Sequence, residues 1–164
     1  MFNLIKVSNI MPIMALNSTD RKILNILQIN ARISNADLSE QINLSPSACL
    51  RRVRQLEDRG IIDGYVTLVD QIAIGRPTNV FVEVTLHDQS EESLIMFETA
   101  IAEYTDVMEC YLMSGDADYL LRVTTADTTD FERVHKLLGQ LPKLARTRSS
   151  FVLRTVSKRT KFDL

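Results

Sequence analysis

Apolar residues follow two different spacings along this chain of 164 residues. Over the first sixty residues they recur at helical spacing, as in Cys49, Val53 and Leu56, which would form one buried stripe on a helix. Over residues 80–86 they alternate with other residues, which is the spacing of a strand with one buried face. The pattern therefore predicts a helical N-terminal part followed by a part that mixes strands and helices.

Three helices are expected in the N-terminal part. The first covers residues 18–30, and the second begins after Ser34, whose hydroxyl can cap a helix N-terminus. The third begins after Ser45, with Pro46 at its first position, where no backbone donor is needed. Gly60 ends it as a C-cap residue. A short helix, a tight turn and a longer helix predict a helix-turn-helix motif.

The third helix carries its cations on the side opposite its apolar stripe. On a helical wheel Ser47, Arg51, Arg54 and Gln55 point outward, and Arg52 lies at the edge. Such a face is most often only solvated surface. Here it follows a short capped helix and offers the polar and forked cationic side chains that contact bases in the major groove. The predicted DNA contacts, with phosphates at both helix N-termini, are Ser34, Asn35, Ser45, Ser47, Ala48, Arg51, Arg52, Arg54 and Gln55.

Less regular segments flank this motif. Residues 1–15 lack the charge pattern and cleavage site of a secretion signal. They are expected to be an N-terminal extension or the result of a misassigned start, with Met14 as the alternative start. Residues 61–68 hold strand-forming side chains around an Asp63-Gly64 turn, which form either a small wing or an exit strand. The expected division is therefore a DNA-binding domain at 16–66, a linker strand at 67–78 and a second domain at 79–164.

The second domain shows the order β-α-β-β-α-β. Strands are expected at residues 80–86, 107–113, 119–125 and 148–157, and helices at 91–104 and 128–141. This order predicts an antiparallel ferredoxin-like sheet with both helices on one face, and an α+β protein as a whole. An apolar opposite face would have to be covered by a second copy, which predicts a two-fold dimer. The residues expected on that face are Phe81, Cys110, Leu112, Leu121 and Phe151.

Composition and charge narrow the classes of function. The chain is 45% apolar and 24% charged, as in globular proteins, and no apolar run is long enough to span a bilayer. Residues 1–70 hold eight Lys and Arg against seven Asp and Glu, so DNA affinity must come from a local patch strengthened by dimerisation. Cys49 and Cys110 lie far apart in apolar segments, which favours structural thiols in a reducing cytoplasm over a disulfide. No metal site or cofactor is expected.

Two separated motifs resemble the Lrp/AsnC (leucine-responsive/asparagine regulator) family of bacterial and archaeal transcription regulators. Residues 16–65 are similar to the DNA-binding half of that family. Residues 115–119, Gly-Asp-Ala-Asp-Tyr, reproduce a turn of its ligand-sensing domain, and residues 149–153 resemble its last strand. The chain departs from the family pattern at Asn17, where Asp is usual, and in its Phe-Asp-Leu ending.

The resemblance implies that the second domain binds a free amino acid in a pocket between dimers, and that dimers assemble into octamers that wrap DNA. The ammonium group of an amino acid needs a carboxylate, and its own carboxylate needs hydroxyl or backbone donors. A Gly-Asp turn is also common for structural reasons alone. The predicted effector contacts, with Asp118 as the ammonium partner, are Met113, Gly115, Asp116, Asp118, Tyr119, Ser149 and Ser150.

The expected function is sequence-specific binding of double-stranded DNA by a cytoplasmic transcriptional regulator that responds to an amino acid. An architectural DNA-binding protein without an effector remains an alternative, because the arginines are equally suited to both. An enzyme on the ferredoxin-like sheet is disfavoured, because Asp116 and Asp118 have no His or Lys near them in sequence.

Overall fold

The computed structural model describes residues 16–164, so the predicted extension at residues 1–15 lies outside the described part. The elements are α1 (Ser18–Leu27), α2 (Asn35–Gln41), α3 (Pro46–Asp58), β1 (Thr78–Leu86), α4 (Glu91–Ile101), β2 (Val107–Leu112), β3 (Tyr119–Thr125), α5 (Thr128–Leu138) and β4 (Leu144–Phe151). The described chain divides into a helical unit, residues 16–68 with 156–164, and a sheet unit, residues 69–155. The predicted α+β architecture of helix-turn-helix followed by βαββαβ is confirmed.

The helical unit begins each of its helices with a capping side chain. Asn17, Ser34 and Ser45 each accept a hydrogen bond from the backbone N–H three residues on, at 2.9, 3.1 and 3.3 Å. Asn43 between α2 and α3 and Gly60 after α3 have φ values of 55° and 65°, which Asn and Gly tolerate best. The three helices enclose one core of buried side chains: Ile23, Leu24, Leu38, Ile42, Cys49 and Leu56.

The sheet unit is a four-stranded antiparallel sheet with the strand order β2-β3-β1-β4. Its core lies between one face of the sheet and the helices α4 and α5. Phe97 of α4 lies against Tyr119 of β3, with ring centroids 4.5 Å apart. The other buried apolar side chains of this core are Val80, Val82, Val84, Leu86, Ile101, Leu121, Val123, Phe131, Val134, Leu138 and Leu141.

Two predicted strands differ from the structure. Within residues 61–77 no strand forms, and residues 71–75 make a turn, so the predicted linker strand was wrong. An extended segment becomes a strand only by pairing with another. The last strand covers Leu144–Phe151 rather than 148–157, because it pairs with β1 along its length, from Leu86 opposite Leu144 to Val80 opposite Phe151.

The prediction for the open face of the sheet was wrong for four of five residues. Leu121 and Phe151 pair with Val82 and Val80, and Cys110 pairs with Leu121, so all three belong to the helix-covered face. Leu112 pairs with the buried Tyr119 and shares that side. Residues that pair across neighbouring strands point to the same face of the sheet. Assigning one residue of a strand to the wrong face therefore reverses the assignment of the whole strand.

The open face is mixed rather than apolar. Phe81 lies there, next to Arg122 on β3 and Ser150 on β4. Arg122 and Arg148 pair on this face with carboxylates of Glu109 and Glu83, at 2.6 and 4.0 Å. Within residues 16–164 no helix is both long and apolar enough to cross a membrane.

Candidate DNA-binding and effector-binding sites

The outer face of α3 carries the residues predicted to contact DNA. Ser47, Arg51, Arg54 and Gln55 are all exposed on this helix, and none of them forms an ion pair within residues 16–164. The hydroxyls of Ser45 and Ser47 lie 3.3 Å apart at the helix start. This face of α3 therefore combines short hydroxyls at the helix start with uncommitted guanidinium groups, which suits it to bind phosphates and bases.

Asn35 fixes how the first helix of the motif meets the second. Its side-chain amide donates to the carbonyl of Pro46 at 2.9 Å, which joins the start of α2 to the start of α3. Asn35 and Ala48 are both partly buried, whereas Ser34 is exposed. Asn35 thus helps to position α3, while the exposed hydroxyls of Ser34 and Ser45 cap α2 and α3.

Arg52 has a different role from the other arginines of α3. Its guanidinium lies 2.9 Å from the carboxylate of Asp20 on α1, and the Asp20 side chain is only 8% exposed. An arginine that neutralises a buried carboxylate is not available to a phosphate without leaving that charge unpaired. Arg52 thus links α3 to α1.

An open cleft of about 550 Å³ lies where the loop between β2 and β3 meets β1 and β4. Three of the predicted effector residues, Met113, Gly115 and Asp116, line it. The others along its wall are Glu83, Thr85, Ser114, Ala117, Leu120, Arg146, Thr147 and Arg148. A cleft of this size fits a single small molecule.

The cleft combines both signs of charge. Glu83 and Arg148 are opposed across β1 and β4, with 4.0 Å between their charged groups. Asp116 and Arg146 are exposed, and neither forms an ion pair within residues 16–164. One free carboxylate and one free guanidinium in the same cleft suit a ligand that carries an ammonium and a carboxylate.

Asp118 is not placed as the sequence predicted. It is 5% exposed, and its two carboxylate oxygens accept hydrogen bonds from the backbone N–H of Leu86 and the amide of Gln89, both at 2.7 Å. The pairing of β1 with β4 shifts register between Thr85 and Leu86, so this carboxylate satisfies a backbone donor at an irregular point of the sheet. Asp118 therefore stabilises the sheet and does not line the cleft.

Three further predicted effector residues lie away from the cleft wall. Tyr119 is buried on the helix-covered side, where its hydroxyl donates to Glu98 at 2.8 Å. Burial, followed by that hydrogen bond, raises the pKa of Tyr119. Ser149 pairs with Val82 on the helix-covered side, and Ser150 pairs with Phe81 on the open face. The structure thus brings together three of the seven predicted effector residues.

Sequence reasoning missed the contributions of β1 and β4 to this cleft. Glu83, Arg146 and Arg148 are ordinary charged residues of strands, without a motif around them. Only the register, which sets Glu83 opposite Arg148 and Thr85 opposite Arg146, brings them together. The alternation of β1 placed Glu83 and Thr85 on the open face, and this was the one available signal.

A capped helix-turn-helix with a cationic outer face, joined in one chain to a sheet unit with a small charged cleft, defines a ligand-binding DNA-binding protein. Sequence comparison gives the same two parts: the winged helix-turn-helix DNA-binding family matches residues 16–63, and the Lrp/AsnC ligand binding domain matches residues 79–162. The chain belongs to the Lrp/AsnC family of transcriptional regulators, which are not enzymes.

Individual proteins are similar to this chain over most of its length. It is 42% identical to the leucine-responsive regulatory protein of Haemophilus influenzae over 152 residues, which cover 90% of this chain and 89% of that one. A transcriptional regulator from Neisseria meningitidis, crystallised in complex with L-Met, superposes with a TM-score of 0.85 at 33% identity and covers 91% of this chain and 97% of that one. An AsnC family regulator from Agrobacterium tumefaciens gives 0.86 at 32% identity, with coverage of 90% and 97%.

Proposed function

We propose that this regulator binds a free amino acid in the cleft between Asp116 and Arg146 and changes its action on DNA in response. The single observation behind the proposal is that these two opposite charges lie unpaired in one small cleft. Its relatives support an amino acid: one is named leucine-responsive, and another was crystallised with L-Met.

In the proposed complex each end of the amino acid has a partner. Asp116 accepts hydrogen bonds from the ammonium group, and Arg146 binds the carboxylate with its guanidinium. Met113 and Leu120 line the same cleft and surround an apolar side chain. Asp116 thus takes the part that the sequence assigned to Asp118, whose oxygens are occupied by Leu86 and Gln89.

A thermal-shift screen of the twenty amino acids tests this proposal. A ligand at about 100 times its Kd stabilises the native state by about 2.7 kcal/mol, so one or a few amino acids should raise the melting temperature. Asp116→Asn and Arg146→Gln should each abolish the rise while leaving the melting temperature of the free protein nearly unchanged, because both side chains are exposed.

The matched control is Glu132→Gln, an exposed carboxylate on α5 away from the cleft lining. It should respond to the ligand as the wild type does. A wild-type protein that responds to no amino acid would favour an architectural DNA-binding protein. A response that survives in both cleft variants would place the site elsewhere.

We propose that Ser47, Arg51, Arg54 and Gln55 contact base edges and flanking phosphates, with Ser34 and Ser45 near the backbone. Arg51→Ala should cost roughly 1–3 kcal/mol in specific DNA binding if it makes a bidentate guanine contact. Lys136→Ala, an exposed cation on α5, is the control for general loss of charge. Unchanged operator affinity in the Arg51→Ala, Arg54→Ala double variant would refute the assignment.

We further propose that the chain works in the cytoplasm as a homodimer, with dimers assembling into octamers. Phe81 on the open sheet face and Val66 and Leu68 in the extended segment after α3 are 36%, 81% and 68% exposed, so they leave apolar surface for a second copy to cover. The α3 helices of the two subunits would then bind DNA half-sites about 10–10.5 base pairs apart, or a multiple of this spacing.

Light scattering tests the assembly. Phe81→Asp should weaken the dimer, whereas Ile95→Asp, at an exposed position of α4, should not. A wild-type protein that is monomeric at micromolar concentration would contradict the dimer, and with it the octamer.

A further inference from the structure

The last nine residues, 156–164, belong to the helical unit and are here called the tail. Gln28 of that unit holds the tail through its main chain: the Gln28 amide donates to the carbonyl of Phe162 at 3.2 Å and accepts from its N–H at 2.7 Å. The Asn25 amide donates to a terminal oxygen of Leu164 at 3.3 Å. Because these contacts involve backbone atoms of the tail, they constrain its path whatever side chains it carries.

The tail forms one wall of a groove on the helical unit. Leu24 and Leu27 of α1 and Ile61 after α3 form part of this groove, which has a volume of about 410 Å³. Thr160, Phe162 and Leu164 of the tail line it too, and these alternate residues all lie on one side of an extended segment. Arg159 and Lys161 have the opposite parity. Lys158 has the parity of Thr160 but precedes the residues that line the groove, and all three cations are exposed.

The groove also contains Asp63 and Gly64, which follow α3 closely in the chain. The tail therefore runs beside the segment that leaves the DNA-reading helix. Because the tail is docked there, its exposed cations lie on the helical unit.

The tail adds positive charge to the helical unit, which carries little net charge without it. Residues 16–68 hold seven Lys and Arg against six Asp and Glu, and one of those arginines, Arg52, is committed to Asp20. The tail adds Lys158, Arg159 and Lys161 against a single acidic side chain, Asp163. None of its three cations forms an ion pair within residues 16–164.

We propose that the docked tail is a second DNA-contacting element, in which Lys158, Arg159 and Lys161 bind backbone phosphates next to the site read by α3. Each phosphate neutralised releases condensed counterions, and the plot of log affinity against log salt becomes steeper by about 0.9. Contacts of this kind position the protein and carry no sequence information. The tail therefore increases affinity for specific and nonspecific duplexes alike.

The test is the salt dependence of DNA binding by the full-length protein. The triple variant Lys158→Ala, Arg159→Ala, Lys161→Ala keeps the backbone contacts that dock the tail, so its fold should be unchanged. Its salt slope should become shallower by up to roughly 2.7 per DNA-bound subunit. When the salt concentration rises fourfold, the wild type should therefore lose about 40-fold more affinity than the triple variant.

The charge-matched control removes three cations from the sheet unit. Asparagine is used at Lys143 because that residue has a φ of 62°, which asparagine tolerates. The control variant is Lys136→Ala, Lys143→Asn, Arg154→Ala, and its slope should stay close to that of the wild type. A tail variant whose slope matches this control would overturn the proposal.

A second variant tests whether docking matters. Gln28→Ala keeps every charge but removes both hydrogen bonds to Phe162, so the tail should lose its fixed position and the slope should fall between wild type and triple variant. A wild-type slope in Gln28→Ala, together with a reduced slope in the triple variant, would show that the tail contacts DNA without being docked. That result would overturn the docked arrangement.

Discussion

Replacing Arg52 by alanine separates its role in holding α3 from the role of the neighbouring arginines, which we propose contact DNA. The change removes a guanidinium that is 33% exposed and leaves the carboxylate of Asp20, which is 8% exposed, without its cation. Asp20 then keeps only the favourable field of the α1 N-terminus, where its backbone N–H is capped by Asn17.

The expected loss follows from this geometry. Removing one partner of a fully buried ion pair lowers the free energy of unfolding by about 3–5 kcal/mol. A charge-assisted hydrogen bond contributes about 1.5–3 kcal/mol to it. Because a third of the Arg52 side chain already meets solvent, water can reach part of the space it leaves. We expect the helical unit to lose about 2 kcal/mol, which lowers its melting temperature by roughly 8–16 °C.

The assay is urea denaturation of the full-length protein, with hydrogen exchange of amides in α1 and α3 to isolate the helical unit. Asp20→Asn removes the charge from the other side, and the double variant completes a thermodynamic cycle. We expect a coupling free energy of about 1–2 kcal/mol between the two positions.

Arg51→Ala and Arg54→Ala are the matched controls on the same helix. Both side chains are exposed and unpaired within residues 16–164, so each should change stability by less than about 0.5 kcal/mol while weakening DNA binding. Arg52→Ala should lower stability but leave DNA affinity nearly unchanged, provided that binding is measured well below the melting temperature of the variant. If Arg52→Ala is as stable as these controls and loses specific affinity, the assignment is refuted.

Three further outcomes are expected. Asp118→Ala should destabilise the sheet unit by about 1–3 kcal/mol, measured by urea denaturation, because it leaves a buried backbone donor unpaired; a change under about 0.5 kcal/mol would contradict this. Hydrogen bonds from Ser90 and then Ser93 lower the pKa of Asp88 to about 2, so its stabilising effect is present above its ordinary pKa near 3.8 and is lost as pH falls through about 2. Ser90→Ala should raise that pKa in an NMR titration. Burial raises the pKa of Cys110 to about 11, so its thiol should react slowly with a disulfide reagent at pH near 8; fast labelling of the folded protein would refute it.

Local patterns in the sequence predicted the elements well because their causes are local. The caps at Ser34 and Ser45 act on the backbone three residues on, and Gly60 ends α3 through its own φ of 65°. The stripe of Cys49 and Leu56 defines the buried side of α3 without reference to any other element. These features depend on a few neighbouring residues, which the sequence displays directly.

Features that depend on pairing between distant segments could not be obtained in this way. Arg52 and Asp20 are separated by 32 residues, and the sequence shows only that Arg52 lies at the edge of the helical face. The faces of β2, β3 and β4 depend on register with β1 and β3, which no single strand specifies. The tail was assigned to the second domain because it follows the last strand, whereas Gln28 binds it to the first.

The turn at residues 115–119 shows how one motif divides two carboxylates between different roles. Asp118 supports the sheet by accepting from Leu86 and Gln89, and it is buried. Asp116, two residues earlier, is exposed in the cleft. A change at Asp118 therefore removes a structural hydrogen bond before it can alter ligand preference, whereas a change at Asp116 alters the charge of the cleft and leaves the turn intact. If the cleft binds the effector as proposed, Asp116 is the residue of this turn at which we expect a change to alter effector specificity at little cost in stability, with Arg146 on β4 as its counterpart across the cleft.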